Sequence, residues 1–152
     1  MKSWWVCDEL PIKQDGKATP SLHRADSGGL MRALIVDDSR AIRGIIKKML
    51  SEMGFDVVEA QHGIEALQRL KEAAAVDVML VDWNMPEMNG YDFLCYVRAD
   101  PNYREVPLMM VTSETEIAQM TKALAAGANE YVMKPFTKEV IADKLALLGL
   151  MP

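Results

Sequence analysis

The chain has 152 residues, half of them apolar and about a quarter charged, which is enough for one ordinary globular core and argues against wholesale disorder. Its formal net charge is −5, so it carries no basic footprint for nucleic acid or for an anionic membrane surface. No apolar run approaches the ~18 residues of a membrane span, and the opening stretch meets Asp8 and Glu9 before a signal core can form. The expected location is the cytoplasm.

Two cysteines, Cys7 and Cys95, cannot make a disulfide framework or a four-ligand zinc site, and read as incidental thiols. Residues 1–30 stand apart. They hold Pro11, Gly16, Pro20, Gly28 and Gly29 and show no sustained period. The first reading is an extension outside the native domain, ahead of a start at Met31. A native disordered tail is the second. A docking peptide built on Trp4-Trp5-Val6 is the third. Residues 31–152 form the expected domain.

From Met31 onward, strands and helices alternate. Ala33–Val36 is an apolar strand. Ile42, Ile45, Ile46, Met49, Leu50 and Met53 then repeat as an amphipathic helix that Gly54 stops. Val57-Val58 mark a second strand, and Gln61-His62-Gly63 reads as a turn into a helix carrying Ile64, Leu67 and Leu70. Val78–Val81 is an unalternating apolar strand, as in a sheet covered on both faces. A loop over 84–90 leads to a helix with Phe93, Leu94 and Val97, and Pro101 and Pro107 bracket the way to a strand at Leu108–Val111. Ser113-Glu114-Thr115-Glu116 reads as a capping box for a helix with Ile117, Met120 and Leu124, closed by Gly127. Tyr131–Met133 is the fifth strand, and Ile141, Leu145 and Leu148 stripe the last helix. Met49, Met79, Met110, Met120 and Met133 fall inside these patterns and read as core filler. Five βα units predict an α/β domain with an open parallel sheet and helices on both faces.

Sites in open α/β sheets form at the carboxyl ends of the strands. The residues found there are Asp37 and Asp38, then Asp82, Thr112, and Lys134-Pro135. One acid in such a place is an ordinary helix cap. Three together repel, and a hard divalent cation removes that repulsion while leaving coordination positions for a phosphoryl oxygen. Lys134 adds positive charge and Thr112 a hydroxyl. The set suits phosphoryl transfer onto an aspartate. No Gly-rich phosphate loop follows the first strand, no Gly-x-Ser-x-Gly elbow exists, and neither His23 nor His62 is placed for a triad or relay.

Four pieces in order resemble the receiver domain of two-component response regulators. They are Val36-Asp37-Asp38-Ser39, Val81-Asp82-Trp83-Asn84-Met85-Pro86-Glu87-Met88-Asn89-Gly90, Val111-Thr112-Ser113-Glu114, and Gly127 through Phe136. The Asp-Trp-Asn-Met-Pro run is most similar to the stand-alone chemotaxis (CheY-like) type. The resemblance implies a doubly wound, flavodoxin-like (βα)5 fold with strand order 2-1-3-4-5, an order taken from the family and not read from the residues. It implies that Asp82 accepts phosphate from a histidine kinase, with Mg²⁺ or Mn²⁺ held by Asp38, Asp82 and the main-chain carbonyl of Asn84, and by Asp37 mainly through water. Lys134 would contact the phosphoryl group, and the Lys134–Pro135 bond would be cis. Thr112 and Tyr131 would be the switch, and Asn84 and Glu114 would tune dephosphorylation. Trp83 would line the site half-exposed.

Because the chain ends at Pro152, just past the last helix, the expected output is binding to a protein target through the face of the fourth helix, fifth strand and fifth helix. Flagellar motor control is favoured over a phosphorelay intermediate or a phosphate sink. Two readings of other classes stay open. An aspartate-nucleophile phosphatase usually has a second aspartate two residues after the nucleophile, where this chain has Asn84. A constitutive interaction domain would not need the complete acidic set.

Overall fold

A computed structural model describes residues 30–73, 75–113 and 118–150. The order of elements is β1 (Met31–Val36), α1 (Arg40–Glu52), β2 (Phe55–Ala60), α2 (Gly63–Glu72), β3 (Val78–Asp82), α3 (Gly90–Ala99), β4 (Leu108–Thr112), α4 (Met120–Ala126), β5 (Glu130–Met133) and α5 (Lys138–Leu147). All strand pairs are parallel, and the sheet runs β2-β1-β3-β4-β5. This is the doubly wound order expected from the family resemblance.

Strand pleating divides the core into two. Leu34, Val36, Met79, Val81, Leu108 and Met110 face one side, where Leu70 of α2, Phe93 and Val97 of α3 and Met120 of α4 cover them. Ala33, Ile35, Val78, Leu80, Met109 and Val111 face the other, under Ile46 and Leu50 of α1 and Ile141 and Leu145 of α5. A strand buried on both faces has no solvent side to mark with polar residues, which explains the unbroken apolar runs. Truncating one of these leucines to alanine costs about 2–5 kcal/mol.

The edges depart from the sequence reading. β2 runs from Phe55 to Ala60, longer than Val57-Val58, because Asp56 and Glu59 point into ion pairs with Arg32 and with Arg43 and Lys47. Met133, expected as filler, ends the edge strand β5 and is exposed, while Met79, Met110 and Met120 are buried. Ile45, Ile64 and Leu124 also lie on the solvent side of their helices. Cys95 is fully buried and is not a free thiol, which corrects its reading as an incidental one.

Side chains cap the helices as their types dictate. Ser39, His62, Asn89 and Thr137 each accept from a backbone N–H in the first turn of α1, α2, α3 and α5. Gln119 precedes α4 and makes no such bond. Most of the expected capping box, Glu114 to Glu116, and Ile117 lie outside the described residues, as do residues 1–29. Among the described residues no helix is long and apolar enough to cross a membrane.

Candidate functional site

Register brings the acids together. Val36 of β1 pairs with Val81 of β3, so the next residues, Asp37 and Asp82, leave the sheet side by side. Asp82 pairs with Val111, and Thr112 with Met133, which puts Thr112 and Lys134 on the same rim. The Lys134 N–H donates to the Thr112 carbonyl at 2.7 Å and continues the ladder one residue past β5.

Asp37, Asp38 and Asp82 each offer a carboxylate oxygen within 4.8 Å of the others. Asp37 and Asp82 are buried and Asp38 is exposed. The Lys134 ammonium donates to Asp82 Oδ1 at 3.1 Å and forms an ion pair with Asp37 Oδ2 at 3.6 Å. Asp37 Oδ1 accepts from the Ser39 N–H at 2.8 Å. Asp37 Oδ2 is buried and has no hydrogen-bond partner. A buried carboxylate oxygen in that state is costly and is a natural place for a cation.

The electrostatics follow from burial first. Desolvation pushes Asp82 up to about 6; the Asp37 charge adds to the rise and Lys134 opposes it. Asp37 is also raised by burial, against the Ser39 hydrogen bond and the Lys134 charge. Burial pulls Lys134 down, but Asp82 and then Asp37 outweigh it and leave the ammonium more firmly protonated. One lysine therefore faces two destabilised carboxylates.

The loop after β3 is held tightly. The Trp83 N–H donates to the Val111 carbonyl, and the Trp83 carbonyl accepts from the Gly90 N–H at 2.8 Å. Glu87 has φ +66 and is the centre of a γ-turn closed by the Met88 N–H and the Pro86 carbonyl at 2.6 Å. That turn is a strained one, kept only where its surroundings impose it. A Cβ on Gly63 would meet Met88 Sδ at 2.6 Å, so glycine lets the loop lie on the start of α2.

Not every expected site residue joins the cluster. Asn84 is exposed just beyond Asp82. The Thr112 hydroxyl is buried and donates to the Ser113 carbonyl at 3.2 Å. Tyr131 is half-buried, with the Lys144 ammonium 5.1 Å from its ring centroid. The Lys134–Pro135 bond is cis. Glu114 lies outside the described residues. Trp83 is a correction: it is 6% exposed, not half-exposed, because it turns into the core with its ring 5.9 Å from that of Tyr91.

Two residues that hold the acids escaped the sequence reading. Ser39 closes the Val36-Asp37-Asp38-Ser39 motif, and a serine before an amphipathic helix is a recognisable cap signal. Arg43, whose Nη1 donates to the Asp37 carbonyl at 2.7 Å, had no such signal.

The sequence pattern of the response regulator receiver domain matches residues 33–146. The chain belongs to that family. The receiver is 48% identical over 119 residues to chemotaxis protein CheY1 of Helicobacter pylori, covering 78% of this chain and 96% of that protein. It is 47% identical over 116 residues to the chemotaxis protein CheY homolog of Campylobacter jejuni, covering 76% of this chain and 89% of the relative. Among solved structures, Vibrio cholerae chemotaxis protein CheY4 superposes with a TM-score of 0.72 at 35% identity, covering 78% of this chain and 98% of that one. The receiver is thus a two-component signalling domain with the fold its sequence implied.

Proposed function

We propose that this chain is a chemotaxis-type response regulator in which Asp82 accepts a phosphoryl group from a histidine kinase and signals by phosphorylation-dependent protein binding. The observation that carries the reading is the Asp82 carboxylate, within 4.8 Å of two further acids and 3.1 Å from Lys134. The working domain is residues 31–152, with 1–30 as an extension.

An all-oxygen donor set with one buried oxygen lacking a hydrogen bond fits a hard divalent cation. Asp37, Asp38, Asp82 and the Asn84 main-chain carbonyl would hold Mg²⁺, and Mn²⁺ fits the same donors. Bound there, the ion neutralises charge on the phosphoryl oxygens. The rest of the chemistry belongs to the side chains. An Asp82 oxygen forms the new bond to phosphorus, the phosphohistidine N–P bond breaks, and its electron pair stays on the kinase imidazole. Lys134 meets the charge that moves onto the phosphoryl oxygens. Water later cleaves the acyl phosphate, a step that Asn84 and Glu114 would tune. This is a signalling module whose only turnover is its own phosphorylation and dephosphorylation.

Output is a population shift. The Thr112 hydroxyl, now spent on its neighbour's carbonyl, gains a better acceptor in the phosphoryl group, and Tyr131 follows behind it. The surface of α4, β5 and α5 then presents the changed face to a protein target. The 48% and 47% identities to chemotaxis proteins favour a motor-type target.

Acetyl phosphate with Mg²⁺ should add one hydroxylamine-labile phosphate to wild type and none to Asp82→Asn, and beryllofluoride should tighten binding to a flagellar motor switch segment. Equal labelling of the two proteins would overturn the assignment of Asp82. Labelling without any gain in motor binding, together with reversible transfer to a histidine phosphotransfer protein, would replace motor control by a relay or sink.

A further inference from the structure

The Asp37 backbone and carboxylate are clamped atom by atom. The Asp37 N–H donates to the Ala60 carbonyl at 3.1 Å, and Oδ1 accepts from the Ser39 N–H at 2.8 Å. The carbonyl accepts from Arg43 Nη1 at 2.7 Å. Oδ2 alone has no hydrogen bond. The peptide that joins Asp37 to Asp38 is therefore set by Arg43, one turn along α1.

Arg43 is itself anchored. Its Nε donates to Glu59 Oε1 on β2 at 3.1 Å, and the same carboxylate takes Lys47 at 3.0 Å through Oε2. The Arg43 side chain is only 13% exposed. The planar fork of a guanidinium can serve a carbonyl and a carboxylate at once, which a lysine ammonium on a flexible stem cannot do with the same geometry.

We infer that Arg43, anchored by Glu59, is a positioning residue for the acidic cluster: it fixes the Asp37–Asp38 peptide so that both carboxylates converge with Asp82 on a divalent cation. This rests on the metal-binding reading above. The inference has a sign that plain electrostatics does not share. Removing a positive charge near a cation site should tighten cation binding by Coulomb's law. Removing a positioning residue should weaken it, as losing a partner that orients ligands does, on the order of 10–100-fold.

The test is calorimetric titration of Mg²⁺ into the full chain, at a temperature where circular dichroism shows each variant folded. Arg43→Ala and Arg43→Lys should both bind Mg²⁺ more weakly than wild type, roughly tenfold or more. Glu59→Gln, which keeps Arg43 and loosens its anchor, should fall in between. If Arg43→Ala does not fold, Arg43→Lys, which keeps the charge and loses the planar fork, decides the matter. Unchanged or tighter Mg²⁺ binding in the folded variants overturns the positioning role while leaving the metal site intact. No Mg²⁺ binding by wild type overturns the metal site and this inference with it.

Discussion

The Lys134 ammonium lies 3.1 Å from Oδ1 of Asp82, and this contact joins the last strand of the sheet to its centre. It places a cation against the proposed phosphoacceptor. The same ammonium is 3.6 Å from Asp37, so both buried carboxylates depend on it.

Replacing Lys134 by methionine should separate two roles. Without metal, Asp37 and Asp82 lose their counter-charge and the fold loses stability, by roughly 1–3 kcal/mol as for a buried polar group left without its partner. Mg²⁺ should bind the variant more tightly, since no resident cation competes for the carboxylates. Phosphorylation by acetyl phosphate should nevertheless slow at saturating Mg²⁺, because a positive contact to the phosphoryl group is gone. Urea unfolding, Mg²⁺ titration and labelling rate check the three signs.

Stability should depend on pH in an unusual direction. The folded chain holds Asp82 at about 6, against an ordinary value of 3.8. Between those values the folded state keeps a proton that the unfolded chain releases. The full contribution is present below about pH 4 and is lost as pH rises through about 6, on the order of 1–2 kcal/mol after solvent screening. Asp37 is raised as well and acts in the same sense. Metal-free protein should therefore show a falling urea midpoint from pH 5 to pH 7, about one pH unit either side of the Asp82 transition. Saturating Mg²⁺ should flatten the curve, since ligand binding to the folded state restores stability where the carboxylates are ionised. Asp82→Asn should flatten it too, without metal.

Gly90 opens α3 where that helix touches the end of β3. A Cβ there would fall on the Asp82 carbonyl oxygen and lie 3.0 Å from the Trp83 Cα. These two neighbours are backbone and cannot rotate away, unlike the third, the Met110 Cε at 2.9 Å. Gly90→Ala should cost about 1–3 kcal/mol by overpacking and should weaken Mg²⁺ binding by moving Asp82. Denaturant unfolding and the Mg²⁺ titration should change together. Gly44→Ala is the control, because a Cβ there meets nothing within 4 Å.

The parts of this molecule legible in the sequence are those set by local pattern. Ala33–Val36, Val78–Val81 and Leu108–Val111 are buried on both faces, and residues beyond their carboxyl ends fall at the site because parallel register aligns strand ends. Residues whose environment depends on a turn or a distant partner were not legible. Trp83 and Asn84 are neighbours, yet one is buried and the other exposed, and only the path of the loop decides which. Met133 reads like Met79 but ends an edge strand. Arg43 spends its guanidinium on a backbone carbonyl, which leaves no trace in residue type. The strand order came from family likeness, since apolar runs do not say which run lies beside which.

Arg98 shows the same illegibility at the opposite end of the sheet and gives the clearest separation of fold from function. Its Nε donates to the Gly127 carbonyl at 3.0 Å, Nη1 to the Tyr103 carbonyl at 3.1 Å, and Nη2 to Asn129 Oδ1 at 2.9 Å. Asn129 Oδ1 also accepts the Leu108 N–H at 2.8 Å, at the start of β4. One guanidinium thus ties α3 to the turns before β4 and β5. Arg98→Ala strips two backbone carbonyls of a charged donor and should cost about 2–4 kcal/mol. Asn129→Ala removes the acceptor that Arg98 and Leu108 share, so the double variant should lose less than the sum of the singles, by roughly 1 kcal/mol. The acids sit at the carboxyl end of the sheet and this network at the amino end of β4. Mg²⁺ affinity of the folded Arg98→Ala protein should therefore match wild type, and a large change would show that the two ends of the domain are coupled through α3.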